Sequence, residues 1–168
     1  LKVQGIEIGD SKYEKDKLDL AKSILEKAKQ AKVDILLPVD HVSVQKVDAA
    51  APTRVEGPGI GTGRFGVDIG PKTVELFCQT LDTARTVIWN GPMGIFEMAP
   101  FANGSREIAL KLSRLKDAVT VIGGGDTAAC VIGFGLDQQM THISTGGGAS
   151  LEYLEGKALP GITALSER

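Results

Sequence analysis

The chain has 168 residues, 42% of them hydrophobic and 24% charged, which is enough for a single globular domain with a buried core. Nineteen Lys and Arg against 21 Asp and Glu leave a net charge of -2, which supplies no broad positive field for nucleic acid or an anionic membrane surface. Cys78, Cys130, His41 and His142 are the only cysteines and histidines; they form neither a disulfide framework nor a cluster of metal-ligand spacing, and point to a reducing, cytoplasmic setting.

The chain opens at Leu1 rather than Met, and Leu1-Lys2-Val3 reads as the tail of a strand under way, as in a piece of something longer. No window approaches the ~18 apolar residues of a membrane helix, and no signal pattern stands at the N-terminus. From Tyr13 to Lys32, Leu18, Ala21, Leu25 and Ala28 recur at helical spacing among charges, so the spacing predicts an amphipathic helix capped by Asp10 or Ser11. Val33-Asp34-Ile35-Leu36-Leu37 then reads as a strand that Pro38 interrupts. Residues 39–47 look extended. Residues 48–70, with six glycines and two prolines, show no period and read as a long irregular connection.

After Gly70-Pro71, a good helix entry, residues 72–84 read as helix and residues 86–89 as a short apolar strand. Further helices are expected at 103–115, 126–134 and 149–155, with strands at 118–122 and 142–144 between them. Short apolar strands alternating with helices predict an α/β chain: a three-layer, Rossmann-like parallel sheet with helices on both faces. No linker separates two domains.

Glycine accounts for 21 of the residues, well above the average usage of about 7%. Three glycine-rich turns follow predicted strands: Asn90-Gly91-Pro92-Met93-Gly94, Gly123-Gly124-Gly125-Asp126-Thr127-Ala128, and Thr145-Gly146-Gly147-Gly148-Ala149-Ser150. In an open parallel sheet all three lie at the carboxyl edge, where ligands bind. Glycine lets backbone approach a ligand closely, and the free amides of a helix N-terminus suit phosphate oxygens. The bland reading of each turn is a tight connection, and that of Asp126 and Thr127 is N-capping. A carboxylate where phosphates dock repels them unless a divalent cation lies between, so Asp126 points to Mg2+. A P-loop motif is absent. Gly123-x-Gly125-x-x-Ala128 fits the dinucleotide fingerprint but lacks the acid about 20 residues on that holds a ribose hydroxyl.

Trp89-Asn90-Gly91-Pro92-Met93-Gly94-Ile95-Phe96-Glu97 and the other two glycine turns, in this order, resemble the signature of the phosphoglycerate kinase family. Leu37-Pro38-Val39-Asp40, Gly66-Val67-Asp68-Ile69-Gly70-Pro71 and Leu159-Pro160-Gly161 extend the match over nearly the whole chain. The resemblance implies that residues 1–168 are the C-terminal nucleotide-binding domain, without its first strands and without the N-terminal 3-phosphoglycerate domain. It implies reversible, Mg2+-dependent phosphoryl transfer in glycolysis between 1,3-bisphosphoglycerate with ADP and 3-phosphoglycerate with ATP. The implied partners are these small molecules and the chain's own N-terminal domain, in a cytoplasmic monomer. Alone, this chain is expected to be inactive. A non-catalytic nucleotide-binding fragment and an NAD-binding oxidoreductase domain stay open as alternatives.

Carried over residue by residue, the resemblance puts Gly66 and Val67 in the adenine pocket. Pro92, Ile95 and Phe96 lie beside the base or ribose, and Glu97 on the ribose hydroxyls. Asn90 and Gly91 run along the phosphates. Gly124, Gly125, Asp126 and Thr127 hold the outer phosphates and Mg2+, with Asp126 as the metal ligand. Gly146, Gly147 and Gly148 point amides at the phosphoryl group in flight, as the catalytic part. Trp89, Phe96, Glu97 and Val67 have ordinary packing or surface roles as competing readings.

Overall fold

A computed structural model describes residues 1–165, which divide into two compact units. The first comprises Leu1–Gln79 with Met93–Gly104; the second comprises Thr80–Pro92 with the residues from Ser105 onward.

In the first unit the opening residues Lys2–Gln4 form a 3-10 turn rather than the end of a strand. The expected amphipathic helix is α1 (Leu18–Ala31), preceded by a 3-10 turn at Lys15–Lys17. Its cap is not the expected one: Lys17 holds the N-cap position without a side-chain bond. Ser11 instead accepts the Gly66 N–H at 2.9 Å, and Asp10 Oδ1 lies 3.4 Å from the Gly63 amide nitrogen as its acceptor. Lys32 ends α1 in the left-handed region at φ 56, a conformation that glycine adopts more readily.

The strand expected at 33–37 does not form. Val33, Ile35 and Leu36 are exposed, and no described strand lies alongside to accept and donate ladder bonds. Propensity for β-structure needs a packed neighbour to express itself. The converse happens at 48–70, expected to be irregular, where two strands form and flank a third that lies in the stretch 39–47 expected to be extended. β1 (His41–Val44) pairs antiparallel with β2 (Arg54–Glu56) on one side and with β3 (Phe65–Ile69) on the other. A polar cluster ties this sheet together: Arg64 Nε donates to Ser43 Oγ at 2.8 Å and to Glu56 Oε1 at 3.1 Å, and Arg64 Nη2 donates to the Ser43 carbonyl at 2.8 Å. The Ser43 hydroxyl and the Gly61 amide also donate to Glu56, and these bonds hold its carboxyl below its ordinary value, led by the Ser43 bond. The core of the unit is Val44, Val67 and Phe101, with Phe65, Ile95 and Met98 packed around them.

β3 runs into α2 (Pro71–Leu81), where Gly70-Pro71 makes the predicted entry. Asp40 caps that helix from before β1, its two oxygens accepting the Lys72 N–H at 3.0 Å and the Thr73 N–H at 2.8 Å. Gly70 is required there, because a Cβ would stand 2.2 Å from the Asp40 carboxyl carbon.

The second unit carries the parallel sheet. β4 (Thr86–Asn90), β5 (Val119–Gly123) and β6 (His142–Ser144) lie in the order β4-β5-β6. The helices are α3 (Asn103–Ser113), which begins at the end of the first unit, then α4 (Gly125–Gly133), α5 (Gly147–Leu154) and α6 (Pro160–Thr163). α4 packs on β5 and β6. Trp89, Ile108, Leu112, Ile122, Ala128 and Val131 fill the core, each large aliphatic worth about 1.5–3 kcal/mol relative to exposure. At the start of the β5–β6 pair, Thr120 and Thr141 exchange two bonds, each backbone N–H donating to the other's hydroxyl at 3.1 and 3.0 Å. This is the three-layer, Rossmann-like α/β fold expected from the alternation of short strands and helices.

Candidate functional site

The register of the parallel sheet brings the three glycine turns to one edge: Asn90 stands opposite Gly123, and Gly123 opposite Ser144. Each turn begins where its strand ends, so all three emerge at the carboxyl edge. Asn90 stands among them, its Oδ1 3.3, 3.0 and 3.3 Å from where a Cβ would lie on Gly123, Gly124 and Gly147. Gly147 and Gly124 meet backbone to backbone; a Cβ on Gly147 would stand 2.8 Å from the Gly124 Cα. Any side chain at Gly147 would push the start of α5 off the end of β5.

Two side chains fix the first turn. The Trp89 indole donates to the Gly91 carbonyl at 2.7 Å, and the Gly91 N–H donates to Thr127 Oγ1 at 2.7 Å. Thr127 is buried, so its hydroxyl oxygen is already engaged in holding the turn at Gly91 against α4. Gly91 itself has φ +100, outside the range of ordinary L-residues. Pro92, which follows, is half-buried.

α4 opens at Gly124, with φ +90 and no side-chain cap; α5 opens at Gly146, also without one. The amides of Gly125 and Asp126, and of Gly148 and Ala149, lie in first turns, where helix geometry supplies no internal acceptor. N-capping by Asp126 is therefore not what the structure shows. Asp126 sits one residue inside α4, with its side chain exposed in the first turn. Gly146 and Gly148 are exposed as well, and Gly147 is half-buried.

The remaining residues expected to bind nucleotide lie in the first unit. Val67 is buried in the core with Val44 and Phe101, while Gly66 beside it is exposed. The Val67 carbonyl accepts the Ile95 N–H at 3.0 Å. Ile95 and Phe96 are half-buried, and Glu97 is exposed. Among the described residues no group of three or more His, Cys, Asp or Glu could hold a metal ion. Asp126, an exposed carboxylate at the glycine edge, fits an ion that arrives on phosphates and keeps most of its waters, the usual mode for Mg2+.

Sequence reasoning assigned no role to Asp68. It is buried on β3, accepts the Ile69 N–H at 2.8 Å through Oδ1, and accepts the Gly104 N–H at 2.8 Å through Oδ2. Burial pushes its carboxyl above the ordinary value, while the backbone bonds from Gly104, Ile69 and Asn103 pull the other way. The available signal was a lone acid inside an apolar run between two glycines, Gly66-Val67-Asp68-Ile69-Gly70.

The fold and this edge define an α/β protein of Rossmann-like type with uncapped, glycine-opened helices at the carboxyl end of a parallel sheet. A family profile described as phosphoglycerate kinase matches residues 1–157. The phosphoglycerate kinase of Pseudothermotoga lettingae is 52% identical over the whole chain, which covers 43% of that protein. That of Thermosipho africanus is 51% identical over the same span, again with 43% of its length covered. The structure of phosphoglycerate kinase from Coxiella burnetii superposes with a TM-score of 0.91 at 38% identity, over 97% of this chain and 42% of that one. The chain belongs to the phosphoglycerate kinase family. It spans less than half the length of these relatives, and the comparisons do not favour a dinucleotide-dependent oxidoreductase.

Proposed function

We propose that the chain is the nucleotide-binding part of a phosphoglycerate kinase, acting in reversible phosphoryl transfer between 1,3-bisphosphoglycerate with ADP and 3-phosphoglycerate with ATP. The observation that carries the reading is the set of three glycine turns gathered at one sheet edge, two of them opening helices without any side-chain cap. Phosphoryl transfer asks little covalent chemistry of a protein; charge on the phosphoryl oxygens must be met by oriented donors. The amides of Gly125 and Gly148, which have no acceptor among the described residues, are such donors; those of Gly124, Gly146 and Gly147 donate to the Ser144 carbonyl, the Ser144 hydroxyl and the Thr145 carbonyl and would have to turn from these to reach a phosphate. Asn90 and Gly91 lie along the phosphates. The Thr127 hydroxyl, whose oxygen accepts from Gly91, keeps its own proton to donate.

Asp126 would hold Mg2+ jointly with the nucleotide phosphates. When bound, the ion offsets phosphate charge. Gly66, Val67, Pro92, Ile95 and Phe96 serve the base and ribose, Val67 through its backbone because its side chain is in the core. Glu97 offers two acceptor oxygens to a vicinal diol. The acid substrate belongs to an N-terminal domain that the relatives' greater length accommodates, in a cytoplasmic monomer, and the chain by itself binds nucleotide without turnover.

Asp126→Asn tests the metal role. Calorimetric titration with ADP across a Mg2+ series is expected to show the Mg2+ dependence moved to higher concentration. Thermal stability should shift by no more than about 1 kcal/mol, the scale of a first-turn carboxylate on the helix dipole. An unchanged Mg2+ dependence would remove Asp126 from the metal site.

A further inference from the structure

We infer that Asp68 is a positioning residue for nucleotide, a buried carboxylate that fixes both stems of the Met93–Gly104 segment and thereby aims Glu97. The inference rests on the proposed ribose role of Glu97. Three observations carry it. First, the carboxylate stands at both ends of the segment at once: a Cβ on Gly94 would lie 2.5 Å from Asp68 Oδ1, and one on Gly104 would lie 2.3 Å from the same atom. Both positions must be glycine for the carboxylate to fit between them.

Second, both oxygens are committed. Oδ1 takes the Ile69 N–H and Oδ2 the Gly104 N–H. An amide in place of the carboxylate has one acceptor oxygen, and its NH2 group would face the other backbone donor. Asp68 forms no ion pair with any described residue, so backbone donors alone satisfy it. Third, backbone bonds and packing anchor the segment on both sides of its tip. Ile95 N–H donates to the Val67 carbonyl next to Asp68, Met98 N–H to the Ile95 carbonyl, and Phe101 is fully buried. Glu97 stands exposed between these anchors. A shift of either stem is therefore passed through these anchors toward Glu97.

The test compares two probes, ADP and inorganic tripolyphosphate, titrated by calorimetry against the wild-type chain, Asp68→Asn, Glu97→Gln and the double variant. ADP carries a ribose and tripolyphosphate does not. Expected is a loss of about tenfold in ADP affinity for Asp68→Asn, the scale of one charge-assisted hydrogen bond. Tripolyphosphate affinity should stay unchanged, and the double variant should lose little beyond Glu97→Gln. An equal loss for both probes would make Asp68 a general fold residue and overturn the inference. Wild-type ADP affinity in Asp68→Asn beside a weakened Glu97→Gln would overturn it while leaving the ribose reading intact. Wild-type affinity in Glu97→Gln would remove the ribose reading itself. Should Asp68→Asn fail to fold, hydrogen exchange on the wild type decides: the Gly104 and Ile69 amides are expected to be protected, and exchange at unprotected rates would show that the clamp does not exist in solution.

Discussion

Two helices of this chain begin closed by a carboxylate, and two of those without a side-chain cap begin at a glycine. α2 is closed by Asp40, whose oxygens take the Lys72 and Thr73 amides, and α3 by Asp68, which takes the Gly104 amide. Each carboxylate comes from a distant part of the sequence and is buried. α4 and α5 are opened by Gly124 and Gly146 and carry no side-chain cap. The partial positive charge at a helix start attracts an anion in every case. Where the protein supplies the carboxylate, the end is structural; where glycine leaves it bare, the end is free for an anion from outside. Glycine is thus used in opposite ways. Gly70 makes room for the protein's own carboxylate, whereas nothing lies within 4 Å of a Cβ placed on Gly125.

The contrast is broken most strongly by adding one methyl group at each kind of end. Gly70→Ala drives a Cβ into the Asp40 carboxyl and is expected to cost about 3 kcal/mol of stability or more, as overpacking and a lost cap combine. Gly125→Ala has open space and should leave stability within about 1 kcal/mol of wild type, alanine being the better helix former. Its effect should fall on ADP affinity instead. Urea denaturation of both variants checks this, and equal destabilisation would erase the distinction between closed and open ends.

A second variant separates the turn at Gly91 from the open ends beside it. Thr127→Val keeps shape but strands the Gly91 N–H, which should cost about 1–3 kcal/mol, the range for an unsatisfied amide. Thermal melts measure it. A melting temperature equal to wild type would mean that the Gly91 turn is held by the Trp89 indole alone.

The smallest effect distinguishes the two closed ends from each other by pH. Burial raises the Asp40 carboxyl, but the bonds from Thr73 and Lys72 and the charge of Lys72 outweigh it, so its value lies below the ordinary 3.8. Stability from Asp40 is therefore fully present above about pH 4 and is lost as pH falls through the lowered folded value. Asp68 has the opposite sign. Its raised value means that the folded state takes up this proton at higher pH than the unfolded chain does, so its contribution to stability grows on acidification and is lost as pH rises through that value. Melts from pH 7 to pH 3 should show Asp40→Asn losing less on acidification than wild type, and Asp68→Asn losing more. Parallel pH slopes in all three proteins would show that neither carboxylate titrates as its surroundings imply.

The alternation of apolar strands and helices after Gly70, and the glycine turns at Asn90, Gly123 and Thr145, were legible because each is a local pattern: one strand, one turn, one helix start. The register that sets Asn90 beside Gly123 and Gly123 beside Ser144 was not legible, because parallel pairing by itself leaves the register open. What sequence alone determined here was the position of these elements and the glycine composition of the turns between them. The fates of residues 33–37 and 48–70 were decided only in three dimensions. An apolar run such as Val33–Leu37 becomes a strand only beside a partner, and none lies alongside it among the described residues. Phe65-Gly66-Val67-Asp68-Ile69, with two residues unfavourable to strands, becomes one because β1 supplies the ladder. The capping carboxylates were hidden for the same reason. Asp40 and Asp68 stand 33 and 36 residues from the amides Thr73 and Gly104 that they accept, and no local pattern can announce a bond whose two ends meet only when the chain has folded.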